Sequence, residues 1–324
     1  MNDETRTMQS DPSLTHRDLY VQTDDGRIAV RDYGGNGPDV LLIHGNGTNL
    51  ISWEACTPLL VPHRRTVAMD IRNRGLSDPA SGGETPEMLA SDVRAVVDEL
   101  GLELPLIVGH SYGGQISEHY AAQGHPYRGL VLVDVMFKVM TKPDSDENLE
   151  EWAEQARTSG EWEWPVDKFP DKVAEICQFF PTFDDAFAMR YLLRDGNVHD
   201  GIYYRKPSIE SMLRAAGEGG YVDPFWPDTS DSYAAFYRRI TGPVLTVWGT
   251  EGIAKIYDFV DEVNRIPDEL PNCRVVWIEG ADHNIPQIAP DRFVELVLAF
   301  DDEILEAPDG PGERQAEKDQ EGPK

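Results

Sequence analysis

Cysteine is nearly absent from the chain. The three present, Cys56, Cys177 and Cys273, stand far apart with no paired spacing. So sparse and odd a set argues against a disulfide framework and against a zinc site, and suits small buried apolar residues. Long apolar runs are missing too. Spanning a membrane takes roughly 20 consecutive apolar residues, whereas the longest runs here, such as Val40-Leu41-Leu42-Ile43, have the length of buried strands. Positive charge is in short supply: 29 Lys and Arg face 58 Asp and Glu, for a net charge of −29. A surface of that sign repels nucleic-acid phosphates and anionic lipid, which excludes both as partners. Adaptation to high salt would account for the acid excess; a soluble protein from an arginine-rich coding background is the plainer account. The opening residues Met1-Asn2-Asp3-Glu4-Thr5 lack the basic start and apolar core of a secretory signal, so a cytoplasmic location is expected.

What is present is an alternation. Of the 324 residues, 40% are hydrophobic, enough for one large core domain carrying an insertion. Residues 1–17 read as a flexible leader and 307–324 as a disordered acidic tail, and no internal repeat is found. Leu19-Tyr20-Val21 and Arg27-Ile28-Ala29-Val30 flank Asp24-Asp25-Gly26, a hairpin signal. Uniformly apolar runs follow at Val40 to Ile43, Val67 to Met69, Leu106 to Val108 and Leu130 to Val133, as expected of parallel strands covered on both faces. Between the second and third of these, Thr85 can cap a helix that Pro86 opens and Gly101 ends, with Leu89, Val93, Val96, Val97 and Leu100 on one face. The rhythm stops after Val135 and resumes at Pro243 to Trp248. A helix near Ile256 to Val263, a strand at Arg274 to Ile278 and a last helix opened by Pro290 complete it. The expectation is a mostly parallel, doubly wound sheet in residues 18–134 and 243–306. Residues 135–242 are then a helical cap inserted after the sixth strand. Its helical patches lie at Leu149 to Trp152, Lys172 to Phe180, Ala186 to Leu193 and Ser208 to Ala216, with no strand between them.

Gly109-His110-Ser111-Tyr112-Gly113-Gly114 lies between the strand ending at Val108 and a helix starting near Gln115. A serine between glycines at a strand-to-helix turn is held clear of the backbone, beside the N–H groups and positive dipole end of the helix. With this motif in place the chain resembles the α/β-hydrolase family, over about 18–134 and 243–305, with the insertion where members carry a lid. The resemblance implies Ser111 as nucleophile. His44-Gly45-Asn46-Gly47, directly after a strand, resembles the family's oxyanion loop, which implies Asn46 and Tyr112 as the backbone N–H donors. Asp70-Ile71-Arg72-Asn73-Arg74-Gly75-Leu76-Ser77 resembles a D-x-R-x-x-G-x-S turn and is read as structural, with Asn73 tolerating a left-handed backbone. Gly280-Ala281-Asp282-His283 resembles the G-x-x-H position and implies His283 as the general base. An imidazole suits that task because its unperturbed pKa near 6.5 lets it take and return a proton.

The third member of the triad has two candidates. The common family pattern places it after the strand ending at Trp248, as G-x-x-D, but Gly249-Thr250-Glu251-Gly252 puts glycine there, with Glu251 one residue early. Some members place it one strand earlier, where this chain has Asp134; the Arg72-Asn73 pair resembles such members too. Asp134 is the first choice and Glu251 the alternative.

The resemblance implies a serine hydrolase acting on a carboxylic ester or lactone through an acyl-enzyme, without metal or organic cofactor. Its partner would be a small-molecule substrate. Aromatics in the insertion, among them Trp164, Phe169, Phe180, Phe183, Phe187 and Tyr203, suit either an apolar or aromatic substrate group or the cap's own core. The alternative reactions are carbon–carbon bond hydrolysis and perhydrolysis with the same residues. A reading of another class is a ligand-binding protein on a hydrolase scaffold, motivated by Gly252.

Overall fold

A computed structural model of the chain describes residues 16–81, 84–135, 154, 158–159, 162–180, 183–206, 236–270 and 272–307. The expected hairpin is present as β1 (Arg17–Thr23) and β2 (Gly26–Asp32), turning at Gly26 with φ +101°. After it come β3 (Asp39–Ile43), a one-turn helix α1 (Thr57–Leu60), β4 (Arg65–Met69), α2 (Pro86–Glu99), β5 (Leu106–His110), α3 (Tyr112–Ala122) and β6 (Gly129–Val133). Thr85 caps α2, its hydroxyl accepting the Met88 N–H at 3.2 Å.

These strands join two later ones, β10 (Val244–Gly249) and β11 (Cys273–Ile278), in one eight-stranded sheet. The order is β1-β2-β4-β3-β5-β6-β10-β11. Only β2 runs antiparallel to its neighbours; every pairing from β4 to β11 is parallel. The apolar runs are continuous because both faces are covered. Leu41, Ile43, Ile107 and Leu132 pack on one side with Leu89, Val93 and Val97 of α2 and Ile116 and Tyr120 of α3. Val40, Leu42, Val108 and Val133 pack on the other with Leu60, Trp53 and the last helix. Burying one such Val or Leu side chain is worth about 1.5–3 kcal/mol, so this double layer supplies the rigid frame for the loops at its edge.

Between β6 and β10 the described residues hold β7 (Glu163–Pro165), α4 (Phe169–Phe179), α5 (Asp185–Asp195), β8 (Gly196–His199) and β9 (Ile202–Arg205). The two helices fall where helical patches were expected. The patches at Leu149 to Trp152 and Ser208 to Ala216 lie outside the described residues. The expectation of no strand here is corrected: β7, β9 and β8 form a three-stranded antiparallel sheet. Each strand is three or four residues long with at most one buried residue, so none leaves a buried apolar run in the sequence. Trp164, Val173, Ala188, Leu192 and Tyr203 make a small core of the insertion's own. Phe180, Phe183, Phe187 and Tyr191 pack instead onto the layer that contains Trp53 and Leu50.

Beyond β10 the expected single helix is three one-turn helices, α6 (Ile253–Ile256), α7 (Val260–Val263) and α8 (Ile266–Glu269). Asp258, at φ +58°, leaves the helical region between the first two, and Pro267 starts the third. After β11, α9 (Ile285–Ile288) leads into α10 (Pro290–Glu306), which buries Phe293, Val297, Phe300 and Ile304. Among the described residues no helix is long and apolar enough to cross a membrane.

Candidate active site

The ends of β3, β5, β6, β10 and β11 converge, because parallel strands deliver their C-terminal loops to one edge of the sheet. At the end of β5, Ser111 adopts φ +51° and ψ −119°, a sparsely populated conformation that costs about 1–3 kcal/mol for a residue with a side chain. The turn is fixed by the Ser111 N–H donating to the Val133 carbonyl at 2.9 Å and the Gly114 N–H donating to the Ser111 carbonyl at 2.9 Å. Its glycines are sterically required. A Cβ on Gly109 would lie 2.4 Å from the Gly113 carbonyl oxygen, and one on Gly113 would lie 2.2 Å from that of Ile43.

His283 sits in the loop after β11, and its Nδ1 lies 2.7 Å from Asp134 Oδ2. Asp134 ends β6 at φ +46° and is wholly buried. Its carboxylate also accepts the Ile253 N–H at 3.1 Å and, at a longer 3.5 Å, the Gly249 N–H. The carboxylate accepts a hydrogen bond from the Nδ1–H, which leaves the bare lone pair of His283 on Nε2. Glu251 is elsewhere: half-exposed, it pairs with Lys255 one helical turn on. The glycine that stands in the usual acid position now has a physical account. A Cβ on Gly252 would lie 2.7 Å from Asp134 Oδ1 and 2.8 Å from Oδ2. Gly252 leaves the space into which the Asp134 carboxylate fits.

His110 holds His283 from below. Its Nε2–H donates to the His283 carbonyl at 2.8 Å, and the two rings lie 4.7 Å apart. Burial pushes the His110 pKa down to about 3, with the neighbouring His283 adding to the effect, so the ring is neutral. His44, also driven by burial down to about 3, orients the next loop. Its Nε2 accepts the Ile71 N–H at 3.0 Å, which puts the proton on Nδ1, where it donates to the Gly45 carbonyl at 2.8 Å. Thr48 Oγ1 donates to the same carbonyl at 3.0 Å. Gly45 C=O and Asn46 N–H belong to one planar peptide and point in opposite directions. Anchoring the carbonyl therefore aims the amide. Gly45 also runs against the nucleophile turn: a Cβ there would meet Ser111 Cβ at 3.2 Å and His110 Nδ1 at 3.1 Å.

The insertion grips this loop as well. Arg205 on β9 donates from Nη2 to the Gly47 carbonyl at 2.6 Å and from Nε to Asp195 Oδ2 at 2.7 Å. Burial raises the Asp195 pKa to about 6 against the pull of Arg205. Arg194 of α5 donates to Asp70 Oδ2 at 2.8 Å. Asp70 also accepts the Leu50 and Leu76 N–H groups, in keeping with its reading as structural.

The structure thus brings Ser111, Asn46, Tyr112, His283 and Asp134 to one edge and leaves Glu251 aside. The sequence reading did not include Arg74, Glu84, Arg205 or the supporting hydrogen bond of His110. Arg74 and His110 were visible only as motif residues, and nothing in the sequence marks Glu84 or Arg205.

A model of the Alpha/beta hydrolase family matches residues 40–296. Among curated proteins, the protein phosphatase methylesterase 1 of Rattus norvegicus is 33% identical over 129 residues, 37% of this chain and 33% of that protein. The chain therefore spans about a third of the methylesterase. A non-heme chloroperoxidase of Streptomyces lividans is 25% identical over 86% of this chain and 98% of its own length. A 2-(acetamidomethylene)succinate hydrolase of Mesorhizobium japonicum is 27% identical over 87% of this chain and 94% of its own. The solved structure of an E-2-(acetamidomethylene)succinate hydrolase superposes with a TM-score of 0.71 at 22% identity, covering 89% of this chain and 100% of the other. A thioesterase domain from the curacin biosynthetic pathway gives 0.68 at 18% identity, over 88% and 99%. With the family model matched over most of this chain, residues 40–296, the chain belongs to the alpha/beta hydrolase family.

Proposed function

We propose that the protein is a serine hydrolase that cleaves a carboxylic ester or lactone through an acyl-enzyme. The observation that carries this reading is the 2.7 Å contact between His283 Nδ1 and the buried Asp134 carboxylate, beside a serine held in a strained turn. In the proposed reaction His283 Nε2 accepts the Ser111 hydroxyl proton as Oγ bonds to the substrate carbonyl carbon. The carbonyl oxygen takes up the electron pair and is stabilised by the Asn46 and Tyr112 amides. Collapse expels the alcohol, which receives the proton from His283. Water, deprotonated by the same imidazole, then adds to the acyl carbon and releases the acid with Ser111 restored.

The test is labelling by a serine-directed fluorophosphonate together with turnover of short p-nitrophenyl esters. Ser111→Ala should abolish labelling and lower kcat by about a millionfold. A wild-type protein that neither labels nor turns over esters belongs instead to the ligand-binding class.

The likeness to a non-heme chloroperoxidase over nearly its whole length favours perhydrolysis as the second reading. There the same acyl-enzyme would be released by hydrogen peroxide as a peracid. Peracid formation from ester and peroxide, lost together with esterase activity in Ser111→Ala, would support it.

A further inference from the structure

The two proposed oxyanion donors come from separate elements, Asn46 from the loop after β3 and Tyr112 from the first turn of α3. One buried ion pair touches both residues. Arg74, 5% exposed, donates from Nη1 to both oxygens of Glu84 at 2.6 Å, and from Nη2 and Nε to Asn46 Oδ1 at 2.9 and 3.3 Å. Its guanidinium carbon lies 5.0 Å from the centre of the Tyr112 ring, a cation–π distance. The Tyr112 hydroxyl in turn donates to Glu84 Oε2 at 3.3 Å.

The turn that carries Arg74 is held by several bonds besides this pair, and Arg74 Nη1 itself donates to the Arg72 carbonyl at 2.9 Å. Asp70 binds the Leu50 and Leu76 amides, Ser77 Oγ donates to the Asp70 carbonyl at 2.7 Å, and Arg72 is paired with Asp92. A buried ion pair adds little net stability once both charges are desolvated, and its best-attested use is to select one arrangement among several. Arg74 is also a poor anchor for an anionic substrate, since Glu84 already occupies its charge. What remains distinctive is the planar fork, which reaches a side chain of the oxyanion loop, a carboxylate and an aromatic face at once.

We propose that the Arg74–Glu84 pair is a positioning clamp that holds the Asn46 and Tyr112 amides at the spacing a tetrahedral oxyanion requires. The proposal rests on the serine-hydrolase reading and adds two positioning residues to it. Donors of this kind act only within about 2.7–3.1 Å of the developing charge, and loss of one costs about 10²- to 10³-fold in kcat. Loosening one should cost less, about 10- to 100-fold.

The test measures kcat, KM and the inhibition constant of a phenylboronic acid, whose adduct with a serine is tetrahedral, on the full chain with p-nitrophenyl butyrate. Asn46→Ala removes the tether at an exposed position and keeps the backbone N–H. It should lower kcat about 10- to 100-fold and weaken the boronic acid in parallel, with KM within about twofold. The double variant Arg74→Met/Glu84→Gln should show the same loss, and adding Asn46→Ala to it should cost nothing further, because coupled residues are not additive. Tyr112→Phe, which loses only the hydroxyl contact to Glu84, should show a smaller loss of the same kind. Asn46→Ala with unchanged kcat overturns the clamp, as do losses that multiply independently or that appear in KM alone. In each of those cases an active wild type leaves the hydrolase reading standing. A wild type inactive toward ester and fluorophosphonate alike sinks that reading and the clamp with it.

Discussion

Asp134 and Glu251 stand at the ends of neighbouring parallel strands, β6 and β10, and differ in almost every physical respect. Asp134 is fully buried, bent into a positive φ, and surrounded by amides from the loop that holds Glu251. Glu251 is half-exposed and engaged with Lys255, an i,i+4 pair of the kind worth only about 0.3–0.5 kcal/mol. The loop after β10 nevertheless contributes to the site: it supplies the Ile253 N–H and, at Gly252, a missing side chain. One loop presents the carboxylate and the other receives it. The contrast teaches that the position of an acid is settled by two residues together, the one that carries the carboxylate and the one that makes room.

The largest effect should come from breaking the buried side. Asp134→Asn leaves the shape intact but replaces one carboxylate oxygen with an N–H donor, so the His283 tautomer is no longer fixed, and kcat for ester turnover should fall by about 10⁴-fold. Next is the space-making residue. Gly252 has φ −79°, which any residue tolerates, so Gly252→Ala acts only through its contact with the Asp134 oxygens. It should lower kcat by about 10- to 100-fold with little change in thermal stability. The sharper version transposes the acid: Asp134→Ala/Gly252→Asp should recover part of the activity that Asp134→Ala alone loses. No recovery would mean that Gly252 does not stand where a carboxylate can reach His283.

Acid probes the buried half of the site from another direction. His44 and His110 are held neutral, with pKa values pushed by burial from 6.5 to about 3. For a base depressed in the folded state, the stability is present above 6.5 and is lost as pH falls from 6.5 toward 3. Melting temperature should therefore drop through that window. His110→Gln, whose amide can still donate to the His283 carbonyl, should flatten the drop. The smallest effect belongs to the exposed side: Glu251→Gln should leave kcat and melting temperature within experimental error of wild type, and a loss approaching that of Asp134→Asn would reverse the comparison.

Much of the frame was legible because its signals are local or repetitive. Val40 to Ile43 and Leu130 to Val133 are apolar at every position since both faces of a parallel sheet are covered, and no solvent-facing alternation competes with that pattern. Thr85 and Pro86 announce α2 within a single turn. The serine turn and the His283 loop are short enough to be read as motifs. Illegible features depend on contacts across the chain. The three strands of the insertion are too short to leave a period, and the helix after β10 is broken by one left-handed residue, Asp258, that no apolar pattern encodes. Glu84 reads as one acid among 58 until Arg74 and Tyr112 are seen beside it.

By itself the sequence determined that a doubly wound sheet would present a serine and a histidine from two loops at one edge. Strand burial and tight turns are imposed by neighbours a few residues away, and these leave their mark on composition and spacing. Only the tertiary structure shows which of the two carboxylates lies against His283, because that placement depends on a hydrogen bond between residues 149 positions apart and on a side chain absent at Gly252. Such a relation is a matter of packed volume and oriented charge, and no linear pattern of residues encodes it.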